Sequence, residues 1–383
     1  MNKSLNEIAQ ITMGQSPKSS AYNEDGNGLP FLQGRTTFGR MYPSFDTWTT
    51  EWNKECDADD ILFTVRAPVG DVNIAQTKIA LGRGVAGIRA KNVLPKYLYY
   101  LLYANKSTFI ASSSGTIYDS INKDQLDNVK LKVHNDEEQR HIVDTIGTVD
   151  NLIEKYQETD TKIMSLLSMK FEAIKVKNNS IKLEDFAFYQ EGPGIRNWQY
   201  VDSDGVKFIN IRCINDNDMQ LDDANMISKE EAYGIYKHFM VQEDDILVST
   251  SGTLGRLAIA RKEHLPLCMN TSVIRFRPLV KENYPYLFCF LMSDEFKNLI
   301  ISMANGSAQL NFGPTHIKKI NLLLPEENEL KSFNAFAQPL INKHKDLLSK
   351  IDKLKSAKSL LLNKYFSWYK LTLSEVLMKL LKN

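Results

Sequence analysis

Several short runs in the 383-residue chain have residue types that could do chemistry. Asp59-Asp60 and Asp244-Asp245 are paired carboxylates of the kind used for general acid and base work. Asp294, Glu295 and Lys297, in "DEFK", have the acidic–x–Lys spacing of some nucleases, and "SGTLGR" (251–256) suggests a phosphate cradle. None of these sets is completed elsewhere. Both aspartate pairs stand directly before strand-like runs, "ILFTV" and "ILVST", and read as turn formers. "DEFK" falls in a helical stretch without an upstream acidic anchor, and the counterpart of "SGTLGR", "RAPVGD", shares only its last glycine. The chain has no GxxxxGK[ST] loop, GxSxG elbow, HExxH pair, Gly-rich cofactor fingerprint or Asn-Pro-Pro-aromatic motif of amino-methyltransferases. Its four cysteines (Cys56, Cys213, Cys268, Cys289) are widely spaced and read as free buried thiols.

The chemistry that remains is recognition. "QGRTTFGR" (33–40) and "NIRCINDND" (210–218) are rich in Arg, Thr, Asn and Gln, and "EAYGIYKHF" (231–239) adds Tyr and Lys. Arg with Gln or Asn can form paired hydrogen bonds to base edges, and Lys can neutralise phosphates. The net charge of +1 gives no general affinity for polyanions, so any nucleic-acid face must be local. No apolar run is long enough to span a membrane, and no secretory leader follows Met1, so a cytoplasmic protein is expected.

The elements carrying these loops occur twice. "SSSGTIYDSINKDQLDNVKLKV" (112–133) has the layout of "ANGSAQLNFGPTHIKKINLLLP" (304–325), aligning Gly115 with Gly306 and Leu126 with Ile317. "LPFLQGR" (29–35) pairs with "VKFINIR" (206–212), setting Arg35 opposite Arg212. "DDILFTVRAPVGDV" (59–72) pairs with "DDILVSTSGTLGRL" (244–257), and "VAGIRA" (85–90) with "TSVIRF" (271–276), matching Arg89 to Arg275. A period of half the chain means two copies of a domain, each large enough for its own core. Strands come first and helices later in each copy, which predicts α+β domains.

After each copy comes a long amphipathic stretch. Residues 137–174 place Ile142, Ile146, Val149, Ile153, Tyr156, Ile163, Leu166 and Leu167 at spacings mostly of three and four. Residues 327–366 do the same through Leu340, Leu347, Ile351, Leu354 and Leu361, with Pro339 expected to break or kink the first turns. Two such stripes most simply bury each other as an antiparallel pair; the alternative is that each folds back onto its own domain.

The segments "LPFLQGR", "DDILFTVRAPVG", "GPGIRNWQY", "KFINIRCI", "DDILVSTSGTLGR" and "DEEQRHI", in this duplicated layout, resemble the specificity subunit of Type I restriction–modification systems over essentially the whole chain. The resemblance implies two target-recognition domains separated by two long helices that form an antiparallel coiled coil. The expected divisions are a first recognition domain over 1–136, a first helix over 137–178, a second recognition domain over 179–326, and a second helix with tail over 327–383. It also implies a non-catalytic chain that binds double-stranded DNA at a bipartite site and docks two methyltransferase (modification) subunits, with motor–nuclease subunits joining that core. S-adenosylmethionine then belongs to those partners, and no cofactor or metal is expected here. "EEQRHI" lies close to the family's Glu-Gln-Arg/Lys-x-Ile helix opening, whereas "LPEENELKSF" carries Leu330 and Lys331 in place of the Gln and basic residue.

Candidate DNA contacts are Gln33, Arg35, Thr36, Arg40, Arg66, Lys78, Arg83, Ser114 and Tyr118 in the first copy. In the second they are Asn210, Arg212, Tyr236, Lys237, Ser251, Thr253, Arg256, Gln309 and Asn311. The residues by themselves also admit a two-lobed hydrolase with its site between the copies, or a scaffold that bundles proteins without touching DNA.

Overall fold

The computed structural model describes residues 1–113, 120–174, 179–215, 217–304 and 312–367. The chain divides into two units, Met1–Ile153 with Leu354–Asn383, and Glu154–Lys353. Each mixes helix and sheet.

In the first unit four antiparallel strands lie in the order Ala9–Met13, Val85–Ala90, Ile61–Thr64, Val72–Ile74. The second unit repeats that order with Ala187–Glu191, Val273–Pro278, Ile246–Ser249 and Leu257–Ile259. The run "ILF" has no polar alternate residue because both of its faces are covered. Ile61 and Phe63 enter the core built with the helices, while Leu62 enters a second cluster with Leu32, Cys56 and Leu81. Ile246 and Val248 likewise part from Leu247 in the second unit. The second cluster is closed by another sheet, in which Leu29–Leu32 runs parallel to Ile79–Leu81, as Val206–Ile209 does to Leu267–Met269.

The long stretches are helices Asp136–Glu172 and Glu327–Phe366, and the core of each unit contains parts of both. In the first unit Ile142 and Ile146 are buried with Leu362 and Phe366. His141 Nε2 lies 3.1 Å from the Tyr365 hydroxyl, and Asp150 pairs with Lys358 at 2.8 Å. In the second unit Asp160 meets His344 at 2.6 Å, and the rings of Phe171 and Phe333 are 5.9 Å apart. Within each unit the numbers rise along one helix as they fall along the other, so the two segments run in opposite directions.

Each long helix is also latched to its unit by a buried side-chain amide. Gln139 accepts a hydrogen bond from the Leu94 backbone N–H at 3.0 Å and donates to the His134 carbonyl at 2.9 Å. Asn334 accepts from the Tyr286 N–H at 3.1 Å. These amides satisfy donors at the starts of helices Pro95–Ala104 and Tyr284–Met292, which lack partners within their own helices. Asn334 is thus the latch of the second helix, which has Leu330 where the Gln of the opening signature was expected.

Three expectations are corrected. The second helix continues through Pro339; buried Phe333, Ala337, Ile341 and Leu347 on the flanking turns hold it together despite the missing backbone donor. Leu166 is 41% exposed, and the inward position beside it belongs to Met164 and Leu167. The strand partner of Arg89 is Gln10 and that of Arg277 is Phe188, at the same register from Ala9 and Ala187, so Arg89 corresponds to Arg277 and not to Arg275.

Candidate nucleic-acid interface

The loop after the central strand of each unit is built by one set of hydrogen bonds, found twice. Asp59 and Asp244 adopt left-handed backbone (φ 68° and 67°), ending one segment and aiming the next residue inward. That next residue, Asp60 or Asp245, caps the turn by accepting from the Asp57 N–H at 2.9 Å or the Gln242 N–H at 2.8 Å. Arg89 grips Asp60 with two donors, and Arg277 grips Asp245 the same way. The carboxylates are therefore saturated structural anchors, in keeping with the turn-forming reading.

Beyond the strand, the Thr64 hydroxyl donates to the Pro68 carbonyl at 2.8 Å and accepts from the Asp71 N–H at 2.9 Å. The Ser249 hydroxyl donates to the Thr253 carbonyl at 2.6 Å and accepts from the Arg256 N–H at 2.9 Å. Gly70 and Gly255 donate to the carbonyls of Thr64 and Ser249, both at 3.0 Å, with φ of 93° and 76°. Only glycine takes that conformation cheaply. The hydrogen-bond frame is thus the same in both loops, although the first turns through a cis Ala67–Pro68 bond and the second through Gly252 at φ 63°, and the side chains presented differ.

In the first unit Arg35 pairs with Asp71 at 2.7 Å, and Lys106 binds the other oxygen of the same carboxylate. Burial pushes the Asp71 carboxyl up, but the hydrogen bonds from Lys106 and Arg35 outweigh it and hold it below the ordinary carboxylate range. Arg66 and Arg83 are exposed, and the Arg83 N–H donates to Ser16, whose hydroxyl donates to Gln33 Oε1 at 2.8 Å. Gln33 and Thr36 line a hollow of about 270 Å³ with Tyr22, Phe31, Thr37 and Asp46. Two of its lining rings, Tyr22 and Phe31, lie 4.7 Å apart.

Two first-copy candidates are committed elsewhere. Arg40 pairs with Asp150 of the first long helix at 2.6 Å; this buried carboxylate also takes Lys358 at 2.8 Å and the Tyr100 hydroxyl at 2.8 Å. Burial pushes the Lys358 ammonium below its ordinary value, against the opposing pull of Asp150. Lys78 pairs with Glu55 at 2.8 Å and lies 3.6 Å from Asp57.

In the second unit, Asn210 caps its own short turn by accepting from the Arg212 N–H at 2.9 Å, leaving the Arg212 side chain exposed. Arg256 is exposed and donates to Asn215 Oδ1 at 3.1 Å. Thr253 is exposed and Ser251 half-buried on the same loop. Tyr236 accepts from Gln199 Nε2 at 3.1 Å, next to exposed Lys237. Ser114, Tyr118, Gln309 and Asn311 lie outside the described residues.

The structure therefore brings together Arg35, Gln33, Thr36 and Arg83 in one unit, and Asn210, Arg212, Ser251, Thr253 and Arg256 in the other. Sequence reasoning missed Asp71, whose carboxylate pairs with both Arg35 and Lys106, and Asn215, which accepts a hydrogen bond from Arg256. The signal for Asp71 was present in the aligned loops, whose last residues have opposite charge. Among the described residues no group of His, Cys, Asp and Glu is placed to hold a metal ion, and no helix is long and apolar enough to cross a membrane.

Comparison with known proteins agrees with this twofold plan. Residues 1–163 and 175–357 each match the Type I restriction modification DNA specificity domain. The chain is 40% identical over 167 residues to the putative type I restriction enzyme MjaX specificity subunit of Methanocaldococcus jannaschii, a match covering 41% of this chain and 39% of that protein. It is 21% identical to the type I restriction enzyme MjaIX specificity subunit of the same organism, covering 94% of this chain and 91% of the relative. The crystal structure of a Type I restriction–modification system S subunit from M. genitalium superimposes with a TM-score of 0.59 over 96% of both chains at 15% identity, a likeness of fold. With a DNA specificity domain matched in each half, this chain belongs to the specificity subunits of Type I restriction–modification systems.

Proposed function

We propose that each unit reads one half of a bipartite duplex DNA target and that the chain performs no catalysis itself. The observation that carries this reading is the repetition of one hydrogen-bonded loop frame in both units with different side chains mounted on it. A constant scaffold with variable polar groups is what two readers of two different short words require. Arg35, Gln33, Thr36, Arg66 and Arg83 serve the first word; Asn210, Arg212, Ser251, Thr253, Arg256, Tyr236 and Lys237 serve the second. Arg40 and Lys78, already paired, act by holding their loops.

In this reading the long helices form an antiparallel coiled coil that sets the separation of the words. Two methyltransferase subunits dock on it and supply S-adenosylmethionine, motor–nuclease subunits join them, and the complex works in the cytoplasm. Deleting one heptad from each helix would shorten the rod by about 10 Å, roughly three base-pair steps. Long-read mapping of methylated sites in cells carrying the parent and the shortened chain tests this. The expected result is the same two half-sites at a shorter spacing; unchanged spacing refutes the ruler, and a methylated motif without two parts refutes the reading.

A further inference from the structure

The two equivalent loops end in opposite charges. Asp71 and Arg256 occupy the same backbone position, each donating its N–H to the hydroxyl of the equivalent residue, Thr64 or Ser249. The glycine before each is flanked by an equivalent lysine: a Cβ on Gly70 would lie 3.0 Å from Lys106 Cγ, and one on Gly255 3.3 Å from Lys297 Cγ. In the first unit the carboxylate of Asp71 holds both Arg35 and Lys106. In the second, Arg35's counterpart Arg212 is exposed, Arg256 meets only the neutral Asn215 among the described residues, and Lys297 lies 3.5 Å from the largely exposed Asp294. The loops differ in charge at one further position, where Arg66 stands in the first and Ser251 in the second. From that residue onward the first loop segment is neutral and the second carries one positive charge.

A carboxylate beside a DNA strand repels the phosphates and occupies the cations that would otherwise meet them. An arginine there neutralises one phosphate and releases its counterion. We propose that the second unit is the electrostatic anchor of the chain on DNA, with Arg256 as a phosphate contact, whereas in the first unit Asp71 restrains Arg35 and Lys106 so that binding there depends on base-edge contacts. The inference rests on the DNA-reading function proposed above and adds a division of labour between the units. Phosphate contacts tighten all sequences alike, and base contacts discriminate, so the first word should be read more stringently than the second.

The test measures affinity of the full chain, purified with its methyltransferase subunits, for a mixed-sequence duplex across a salt series. Arg256→Gln should flatten the slope of log affinity against log salt by about one. The variant should therefore lose roughly three- to fourfold less affinity than the parent between about 50 and 200 mM salt. Arg256→Lys, which keeps the charge, should retain the parent slope, and Asn215→Ala should not change it. Asp71→Asn should steepen the slope by releasing Arg35 and Lys106. A parent that binds steeply, with Arg256→Gln leaving slope and affinity untouched, overturns the inference while leaving the DNA-reading function standing. A parent complex with no affinity for duplex DNA overturns both.

Discussion

Arg89 lays its Nε and Nη2 donors on the two oxygens of Asp60, at 2.8 and 2.7 Å, and Arg277 grips Asp245 with the same pair of atoms half a chain away. The duplication therefore extends to individual atoms. Asp60 and Asp245 are both buried, and the copies differ in their partners: Asp245 also lies 3.5 Å from the buried guanidinium of Arg275, whereas Arg89 is half exposed. Removing the partner of a buried charge such as Arg275 costs about 3–5 kcal/mol, whereas a half-exposed guanidinium such as Arg89 is rehydrated and its loss of a partner costs less. Asp245→Ala should thus destabilise the chain far more than Asp60→Ala, which the urea midpoints of the two variants will show.

The amide latches give a second expectation. Gln139→Ala strands the Leu94 N–H at a partly buried site, and Asn334→Ala strands that of Tyr286 at a buried one. Leaving a buried donor unsatisfied costs about 1–3 kcal/mol. The two sites share no hydrogen-bond partner, so their effects on chemical denaturation should add in the double variant.

Asp150 holds three groups at once: Arg40, Lys358 and the Tyr100 hydroxyl. Asp150→Ala leaves the Lys358 ammonium buried without its counter-charge and should cost about 3 kcal/mol or more. Asp150→Asn, which retains the hydrogen-bonding shape, should cost less. Thermal melting of both against the parent checks the order.

The Asp71 carboxyl is held below its ordinary range, so its contribution to stability is fully present above the unfolded value near pH 3.9. It is lost as the pH falls through the lower folded value. Arg35 and Lys106 are substantially exposed, which limits the contribution to roughly 0.5–1 kcal/mol at neutral pH. Asp71→Asn should lower stability by about that amount at pH 7, and the difference should close under acid. Denaturation curves at several pH values will show whether the two lines converge.

Much of this plan is legible from residue order because a repeated domain carries its own control. The turn aspartates, the glycines of the loops and the match of Arg35 to Arg212 follow from aligning one half with the other. The register of Arg89 does not, because Arg275 and Arg277 stand two apart on one strand and point to the same face; only the pairing with Phe188 separates them. The second sheet is built from strands of two to four residues, too short for an alternating pattern to emerge. The loop alignment sets Asp71 against Arg256, but its pairing with Arg35, like that of Asp150 with Arg40, was invisible for a different reason: an ion pair across 36 or 110 positions leaves no mark in local spacing.

Leu362 and Phe366 are buried in the same core as Leu5, Ile8 and Tyr97. During synthesis the amino-terminal lobe therefore cannot finish folding when its own stretch of chain emerges from the ribosome. It must wait for residues near the opposite terminus, with Ile142 and Ile146 uncovered on one side until they arrive. Assembly order is then the reverse of reading order, since Glu154–Lys353 has all of its parts in hand first.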